Sequence, residues 1–179
     1  SIAHAGFLLT GILALNSAGI RATLFYLTAY GITTIGAFAL VTLIRDSAGE
    51  VTDLNRWVGL ARRSPLMAGI FSLFLLSFAG IPLTSGFIGK FTIFNAAYES
   101  ANIAVVVVGV LSSAIAAFFY IRVIVMMFFA DPTDDSVAVT IPAISTRITI
   151  FLSALITLIL GVFPAPILDA IASLATFVR

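Results

Sequence analysis

Long stretches without charge dominate this chain and determine the environment in which it folds. Residues 22–44 contain no charged side chain, and residues 66–98 contain only one, Lys90. A helix that crosses the ~30 Å hydrocarbon core of a bilayer needs about 20 mostly apolar residues, so both stretches are long enough. The whole chain is 61% hydrophobic and only 9% charged. This composition predicts a polytopic membrane protein and excludes a soluble enzyme.

Five apolar segments are expected to cross the membrane, which makes the fold class all-α, a polytopic bundle of membrane helices. We treat residues 1–179 as a single membrane domain. The segments cover approximately residues 1–15, 22–44, 66–98, 102–129 and 146–163, and a further helical stretch follows Pro164-Ala165-Pro166. The first segment is short for a full span and the chain has no initiator Met. We therefore expect the C-terminal portion of a longer protein.

The segment Leu66–Tyr98 is too long to cross a bilayer as one straight helix. Its 33 residues would extend about 50 Å at about 1.5 Å per residue. Pro82 lacks a backbone N–H and clashes with the preceding turn, so a straight helix cannot pass through it. The sequence therefore predicts a discontinuous helix with its break at Gly80–Gly86, near Pro82.

Lys90 is the only lysine in the chain and follows this break directly. Counting back from Glu99 along a helix places it about 13 Å below the surface, near the middle of the membrane. Charges at that depth are costly and commonly functional. Loss of water disfavours the charged form of an amine, so Lys90 is predicted to exchange a proton, with Thr84 and Ser85 lining part of a wet route. The alternative is a structural ion pair, or a side chain that snorkels to an interface.

Two further polar residues lie inside predicted segments. Imidazole titrates near neutral pH, so His4 is a second candidate for the proton relay. Its alternative is a neutral histidine that hydrogen-bonds between packed helices. Arg122 carries a guanidinium that effectively never deprotonates, so we assign it a structural or snorkelling role.

Composition also limits ligands and partners. The net charge of +1 gives no indication of nucleic-acid binding. The chain has no cysteine and one histidine, so we expect no disulfide, no metal site and no cofactor held by this chain. The aromatic residues of the fourth segment are interpreted as lipid-facing or packing residues. They are Phe118, Phe119, Tyr120, Phe128 and Phe129.

The loop ahead of the broken segment carries most of the soluble character of the chain. Asp53–Trp57 is predicted to begin a short interfacial helix with Trp57 at the level of the lipid headgroups. Ser64 and Pro65 are typical of the start of a helix, as N-cap and first helical residue. A second polar loop, at Asp131–Asp135, is acidic.

Basic residues in loops predict the orientation of membrane helices, because they favour the cytoplasmic side. One side carries five arginines against two on the other: Arg45, Arg56, Arg62, Arg63 and Arg147 against Arg21 and Arg179. The loops before the third and fifth segments are therefore predicted to be cytoplasmic, and the C-terminus is predicted to lie outside.

Four motifs spread along the chain support a family resemblance. They are SIAHAGF at 1–7, GLARRSPL at 59–66, FLLSFAGIPLTSGFIGKF at 74–91 and FYIRVIVMM at 119–127. In this order they resemble the antiporter-like membrane subunit N of respiratory complex I, the NADH:quinone oxidoreductase. By that resemblance the five segments are the last five membrane helices of the family, and Lys90 matches the central lysine on its discontinuous helix. The family also uses a glutamate and further lysines on earlier helices, so this chain alone would not complete a proton channel.

The resemblance implies a non-redox, proton-translocating subunit of an enzyme complex in a bacterial plasma membrane. NADH, FMN, Fe–S clusters and quinone would be used by other subunits, and the partners would be the other membrane-arm subunits of a hetero-oligomer in the lipid bilayer. Two alternatives stay open. One is a subunit of a multi-subunit cation/proton antiporter, and the other is a passive membrane scaffold in which Lys90 is only an ion-pair lock.

Overall fold

A computed structural model describes residues 2–46, 49–51, 53–131, 138–139 and 143–175. The described residues form eight α-helices, a 3-10 helix and three very short strands. The helices are α1 Ile2–Leu13, α2 Ser17–Val41, α3 Leu60–Arg63, α4 Pro65–Ala79, α5 Ser85–Glu99, α6 Ile103–Phe129, α7 Ile144–Val162 and α8 Ala165–Ala175. The all-α prediction is confirmed for the apolar segments.

The helices agree with the predicted membrane segments. Three of the described helices, α2, α6 and α7, are each long and apolar enough to cross a membrane. Helices α4 and α5 have 15 residues each, so each extends only about 22 Å at about 1.5 Å per residue. They are the two halves of the predicted discontinuous helix, and only together do they have the length of a membrane crossing.

The break lies where Gly80 and Pro82 predicted it. Gly80 ends α4 with φ +82°, a left-handed conformation that favours glycine. Its N–H donates to the Ser77 oxygen and the Ile81 N–H donates to the Leu76 oxygen, both over 3.0 Å. This pair of bonds is a Schellman motif, which satisfies carbonyls that a helix end leaves without partners. The chain then turns through Pro82 and resumes as α5 at Ser85.

Close backbone packing holds the start of α5 against the end of α4. The Gly86 N–H donates to Ser77 Oγ over 3.1 Å. A Cβ placed on Gly86 would collide with the main-chain oxygen of Ser77. A Cβ on Gly161 of α7 would likewise collide with the main chain at Leu83 and Thr84. The break is therefore packed inside the bundle by glycines on two helices.

A small antiparallel sheet, which the sequence did not predict, joins two loops at one end of the bundle. Its strands are β1 Ile44–Asp46, β2 Gly49–Glu50 and β3 Ala138–Val139, in the order β2-β1-β3. At the opposite end, Ser100 Oγ donates to the Ala14 oxygen over 2.8 Å, and the Asn16 side chain donates to Ser100 Oγ over 2.7 Å. Loops that the segment order assigns to the same side of a membrane are therefore in contact.

The loop before α3 folds onto the ends of the helices. Asp53 caps the 3-10 helix Leu54–Trp57, as the sequence indicated. Trp57, however, is only 4% exposed and packs on Phe71 with ring centroids 5.0 Å apart. The loop turns this ring into a core shared with α2 and α4. The level of Trp57 relative to the lipid headgroups stays a prediction. Pro65 begins α4 with Ser64 as its N-cap residue.

Helix α6 leaves most of its surface exposed. Phe118, Phe119 and Phe129 are exposed, in agreement with a lipid-facing or packing role, and Arg122 is exposed too. Near its end, Arg62 of α3 pairs with Asp131 at 2.7 Å. The rest of the acidic loop, 132–135, and Arg179 lie outside the described residues.

Candidate functional site

Lys90 lies in the second turn of α5 and is buried, with only 5% of its surface exposed. Its ammonium group donates three hydrogen bonds. The acceptors are the main-chain oxygens of Phe78 at 2.8 Å and Ala79 at 3.1 Å, and Ser113 Oγ at 2.9 Å. An ammonium has three N–H donors, so all of them have partners.

The break in the helix exposes the main-chain oxygens that bind this ammonium. The last carbonyls of any helix lack partners within the helix, and they carry the negative end of the helix dipole. The Schellman motif uses the oxygens of Leu76 and Ser77, whereas Lys90 takes those of Phe78 and Ala79. A Cβ on Gly80 would lie 3.0 Å from Lys90 Cδ and 3.3 Å from its Nζ. A glycine at this position therefore gives both the required turn and the space for the lysine.

The surroundings of Lys90 combine an aromatic ring with open space. The Phe7 ring of α1 lies with its centroid 4.9 Å from Nζ, within the range of a cation–π contact. A cavity of about 310 Å³ lies between α5 and α6, and both Lys90 and Ser113 line it. This open space has the volume of several water molecules, at about 30 Å³ each.

The hydroxyls that the sequence assigned to the route at Lys90 lie elsewhere. Ser85 is fully buried and its Oγ lies 3.4 Å from Ser77 Oγ, while Thr84 Oγ1 donates to the Ile81 oxygen over 2.7 Å. Neither lines the cavity at Lys90. Ser113 of α6 supplies the hydroxyl instead, and sequence reasoning missed it. The signal was a pair of serines, Ser112-Ser113, inside an otherwise apolar helix.

His4 lies in a separate polar cluster among α1, α2 and α6. It is 2% exposed; its Nδ1 lies 2.6 Å from the Tyr26 hydroxyl and its Nε2 lies 3.0 Å from the Tyr120 hydroxyl. The Tyr30 ring stacks on the imidazole with centroids 4.4 Å apart. These are the contacts of a histidine that bonds between packed helices, and its part in a relay stays a prediction. Tyr120 belongs to this cluster as well as to the packing surface of α6.

Two residues, Phe7 and Phe78, touch both polar groups. The Phe7 ring, already described beside Lys90, lies with its centroid 5.9 Å from that of His4. The main-chain oxygen of Phe78 accepts from Lys90, and its ring lies with its centroid 5.4 Å from that of His4. The same ring lies 5.7 Å from the Tyr120 ring. The end of α4 and the Phe7 ring of α1 therefore lie between the lysine and the histidine cluster.

Metal ligands are not grouped in the part of the chain that the structure describes. Within those residues no three His, Cys, Asp or Glu side chains lie close enough together to hold an ion. The polar groups that the described residues bring to the site are an amine, an imidazole and hydroxyl groups.

Comparison with known proteins identifies the family. The family described as "NADH:quinone oxidoreductase/Mrp antiporter, TM" matches residues 1–116, which include α1, α2, the broken helix and Lys90. The chain belongs to this family. Members of the family with similar sequences include NADH-quinone oxidoreductase subunit N from Rhodococcus opacus, 56% identical over 100% of this chain, and subunit N 3 from Streptomyces griseus, 57% identical over 100% of it. The resemblance to subunit N is thus confirmed.

The chain spans about one third of the length of these relatives, 33% and 32% respectively. Among solved structures, respiratory complex I from Thermus thermophilus contains a similar chain, with a TM-score of 0.77 and 26% identity over 94% of this chain and 37% of that one. The Mrp complex from Dietzia gives a TM-score of 0.81 at 22% identity over 96% and 40% of the two chains. The second likeness shows a shared fold only.

Proposed function

We propose that this chain belongs to a proton-translocating membrane subunit of a NADH:quinone oxidoreductase, in which Lys90 is the group that exchanges the proton. The observation that carries the proposal is a single buried lysine whose ammonium bonds to the free end of a broken helix. Intramembrane ionisable groups beside discontinuous helices commonly mark ion pathways. The subunit N relatives support the choice of assembly.

The hydrogen bonds of Lys90 suggest how its protonation is coupled to the contacts between helices. A charged Lys90 holds the end of α4 and Ser113 of α6 to α5 through three bonds. Loss of one proton leaves two donors for three acceptors, and it also removes the attraction to the negative end of the α4 dipole. The proton passes to or from water in the cavity beside Lys90. Loading and unloading thereby change how strongly α4 and α6 are held to α5.

The remaining functional assignments follow from this proposal. The chain is a non-redox part of a translocase, within a single membrane domain, and NADH, FMN, Fe–S clusters and quinone are used by partner subunits. Those partners are the other membrane-arm subunits of a hetero-oligomer. The C-terminus lies outside, as the distribution of arginines predicts. The membrane is the plasma membrane of a bacterium, and the subunit N relatives come from bacteria.

Two other functions are each favoured by a specific observation. The matching family, whose description names the Mrp antiporter beside NADH:quinone oxidoreductase, favours a subunit of a cation/proton antiporter. That function predicts cation-coupled proton movement without any oxidation of NADH. The ammonium of Lys90 has a partner for each of its three N–H groups, which favours a passive scaffold. A lysine that caps the end of α4 in this way stabilises the break without exchanging a proton.

The test compares Lys90→Met and Lys90→Arg in the complete subunit within its assembly. Methionine removes the charge at similar length, while arginine keeps a charge that does not deprotonate. If Lys90 exchanges a proton, both variants assemble on native gels and both lose proton translocation. If the chain is a passive scaffold, Lys90→Arg retains a cation at the end of α4 and should preserve translocation.

A further inference from the structure

His4 has a tyrosine hydroxyl at each of its two ring nitrogens. Nδ1 lies 2.6 Å from the hydroxyl of Tyr26 on α2, and Nε2 lies 3.0 Å from the hydroxyl of Tyr120 on α6. A neutral imidazole carries one proton, so one of its nitrogens donates and the other accepts. The tautomer of His4 therefore depends on which of the two tyrosines has to donate its O–H.

The Tyr26 hydroxyl is enclosed by the bundle. Tyr26 is 1% exposed, and among the residues that the structure describes its hydroxyl has one hydrogen-bond partner, His4 Nδ1. The Tyr26 ring meets the Phe7 ring edge-on, with centroids 6.2 Å apart. It also fills space that Gly89 of α5 leaves open, since a Cβ there would lie 2.5 Å from Tyr26 Cδ2. Packing therefore keeps the Tyr26 oxygen beside Nδ1.

The two tyrosines differ in how freely their O–H groups can turn. If Nδ1 carried the proton and donated it to Tyr26, the O–H of Tyr26 would be buried without an acceptor, which costs free energy. Tyr120 is only partly buried and lines an open groove, so its O–H can turn away from the ring without that cost. Hydrogen bonding therefore favours a Tyr26 that donates to Nδ1 and an Nε2–H that donates to the Tyr120 oxygen.

We propose that Tyr26 is a positioning residue that holds His4 in this one neutral tautomer, with the proton on Nε2. A charged imidazole donates from both nitrogens, so charging His4 would leave the Tyr26 O–H without its acceptor. A proton that charges His4 has to enter at Nδ1, where it displaces the Tyr26 hydroxyl. The relay that the sequence predicts for His4 therefore requires Tyr26 to release this nitrogen first.

The neutral state of His4 has a consequence for Lys90, and this consequence rests on the proposed function. The Phe7 ring touches both groups, with its centroid 4.9 Å from Lys90 Nζ and 5.9 Å from the centroid of His4. Like charges repel more strongly where water is excluded, so a charged His4 would oppose a charged Lys90. By holding His4 neutral, Tyr26 favours the charged form of Lys90, which binds the end of α4.

Nitrogen NMR spectroscopy of the assembled complex with isotope-labelled histidine tests the tautomer without relying on pumping. His4 is the one histidine of the chain, and subtraction of the spectrum of a His4→Gln complex isolates its signals. We expect an unprotonated Nδ1 and a protonated Nε2. A proton on Nδ1 in the wild-type complex overturns the proposal, whatever the outcome of the Lys90 variants.

The variant Tyr26→Phe keeps the ring and removes the hydroxyl. Signals of the second tautomer or of the charged imidazole should then appear, and an unchanged spectrum overturns the proposal. Tyr30→Phe is the matched control, because Tyr30 of the same helix stacks on the imidazole with centroids 4.4 Å apart while the two nitrogens face the other tyrosines. The control should keep the wild-type spectrum, and loss of the tautomer there too overturns the specific role of Tyr26.

The functional role is tested by combining Tyr26→Phe with His4→Gln in the assembled complex. Tyr26→Phe alone should slow proton translocation about fivefold, because a neutral hydrogen bond to the histidine is lost. In the His4→Gln complex the same replacement should have no further effect, since Tyr26 acts through the histidine. The same effect in both backgrounds, or no effect in either, overturns the positioning role.

Discussion

Lys90 Nζ lies 2.8 Å from the main-chain oxygen of Phe78, the penultimate residue of α4. The two halves of one broken segment are thus joined by a side chain of the second half that bonds to the backbone end of the first. The bond satisfies a carbonyl that the break leaves without a partner, and it places a cation at the negative end of a helix dipole. The break and the lysine therefore depend on each other.

Gly80→Ala should destabilise the complex and impair pumping. The residue has φ +82°, a conformation that costs an alanine about 1–2 kcal/mol. Its Cβ would also press on the Lys90 side chain, 3.0 Å away at Cδ. We expect a lower midpoint of thermal unfolding for the solubilised complex. The control is Gly69→Ala, in the interior of α4 with no atom near the added Cβ, which should unfold at the wild-type temperature or above.

Removal of the Ser113 hydroxyl should slow translocation while assembly stays normal. Ser113→Ala leaves one N–H of a buried ammonium without its protein acceptor. We expect a loss of about tenfold in the rate of proton translocation, measured in sealed vesicles. Ser112→Ala is the matched control, because Ser112 lines a different groove, between α1 and α6. Equal rates in the two variants would contradict a functional contact between Lys90 and Ser113.

His4 and Tyr120 should be energetically coupled. The variants His4→Gln and Tyr120→Phe each break the same 3.0 Å contact, so their effects on the translocation rate should not add. A double-mutant cycle should give a coupling free energy of about 1 kcal/mol or more. The comparison cycle pairs His4→Gln with Tyr98→Phe, whose side chain is 63% exposed, and it should be additive. If the effects are additive in both cycles, Tyr120 takes no part in the relay.

The ends of the bundle should lie on opposite sides of the membrane as the arginine distribution predicts. Glu99 and Arg147 are both exposed and belong to opposite ends of the bundle. In intact cells, an impermeant thiol reagent should modify Glu99→Cys from outside, while Arg147→Cys should react only after the membrane is opened. The reverse pattern would place the C-terminus in the cytoplasm and would refute the predicted orientation.

The sequence predicted the segments and the break well because both depend on local chemistry. Charge-free runs define the segments, while a helix cannot continue straight through Pro82, and Gly80 adopts a conformation that favours glycine. Depth along a helix predicted that Lys90 lies inside the membrane; the structure shows that its side chain is buried within the chain. The segments and the break depend only on residues that are close together in the sequence, and the structure agrees with both predictions.

The partners of the site were not predictable because they come from distant parts of the chain. His4 and Tyr120 are 116 positions apart, and Lys90 and Ser113 are 23 apart on different helices. The contact of Trp57 with Phe71 was not predictable either, since an aromatic residue near a predicted interface is equally able to pack inside a folded loop. The small sheet was missed because strands of two or three residues carry too little periodicity to be recognised.

The most direct test of the account is the number of protons translocated per NADH oxidised, measured in sealed vesicles for wild type and for Lys90→Met in the complete subunit. Native gels establish that the variant complex is assembled. If Lys90 exchanges the pumped proton, the assembled variant translocates fewer protons per NADH, or its oxidation rate falls together with its pumping. A normal ratio at a normal rate would contradict the account and leave Lys90 as a structural cap on a broken helix.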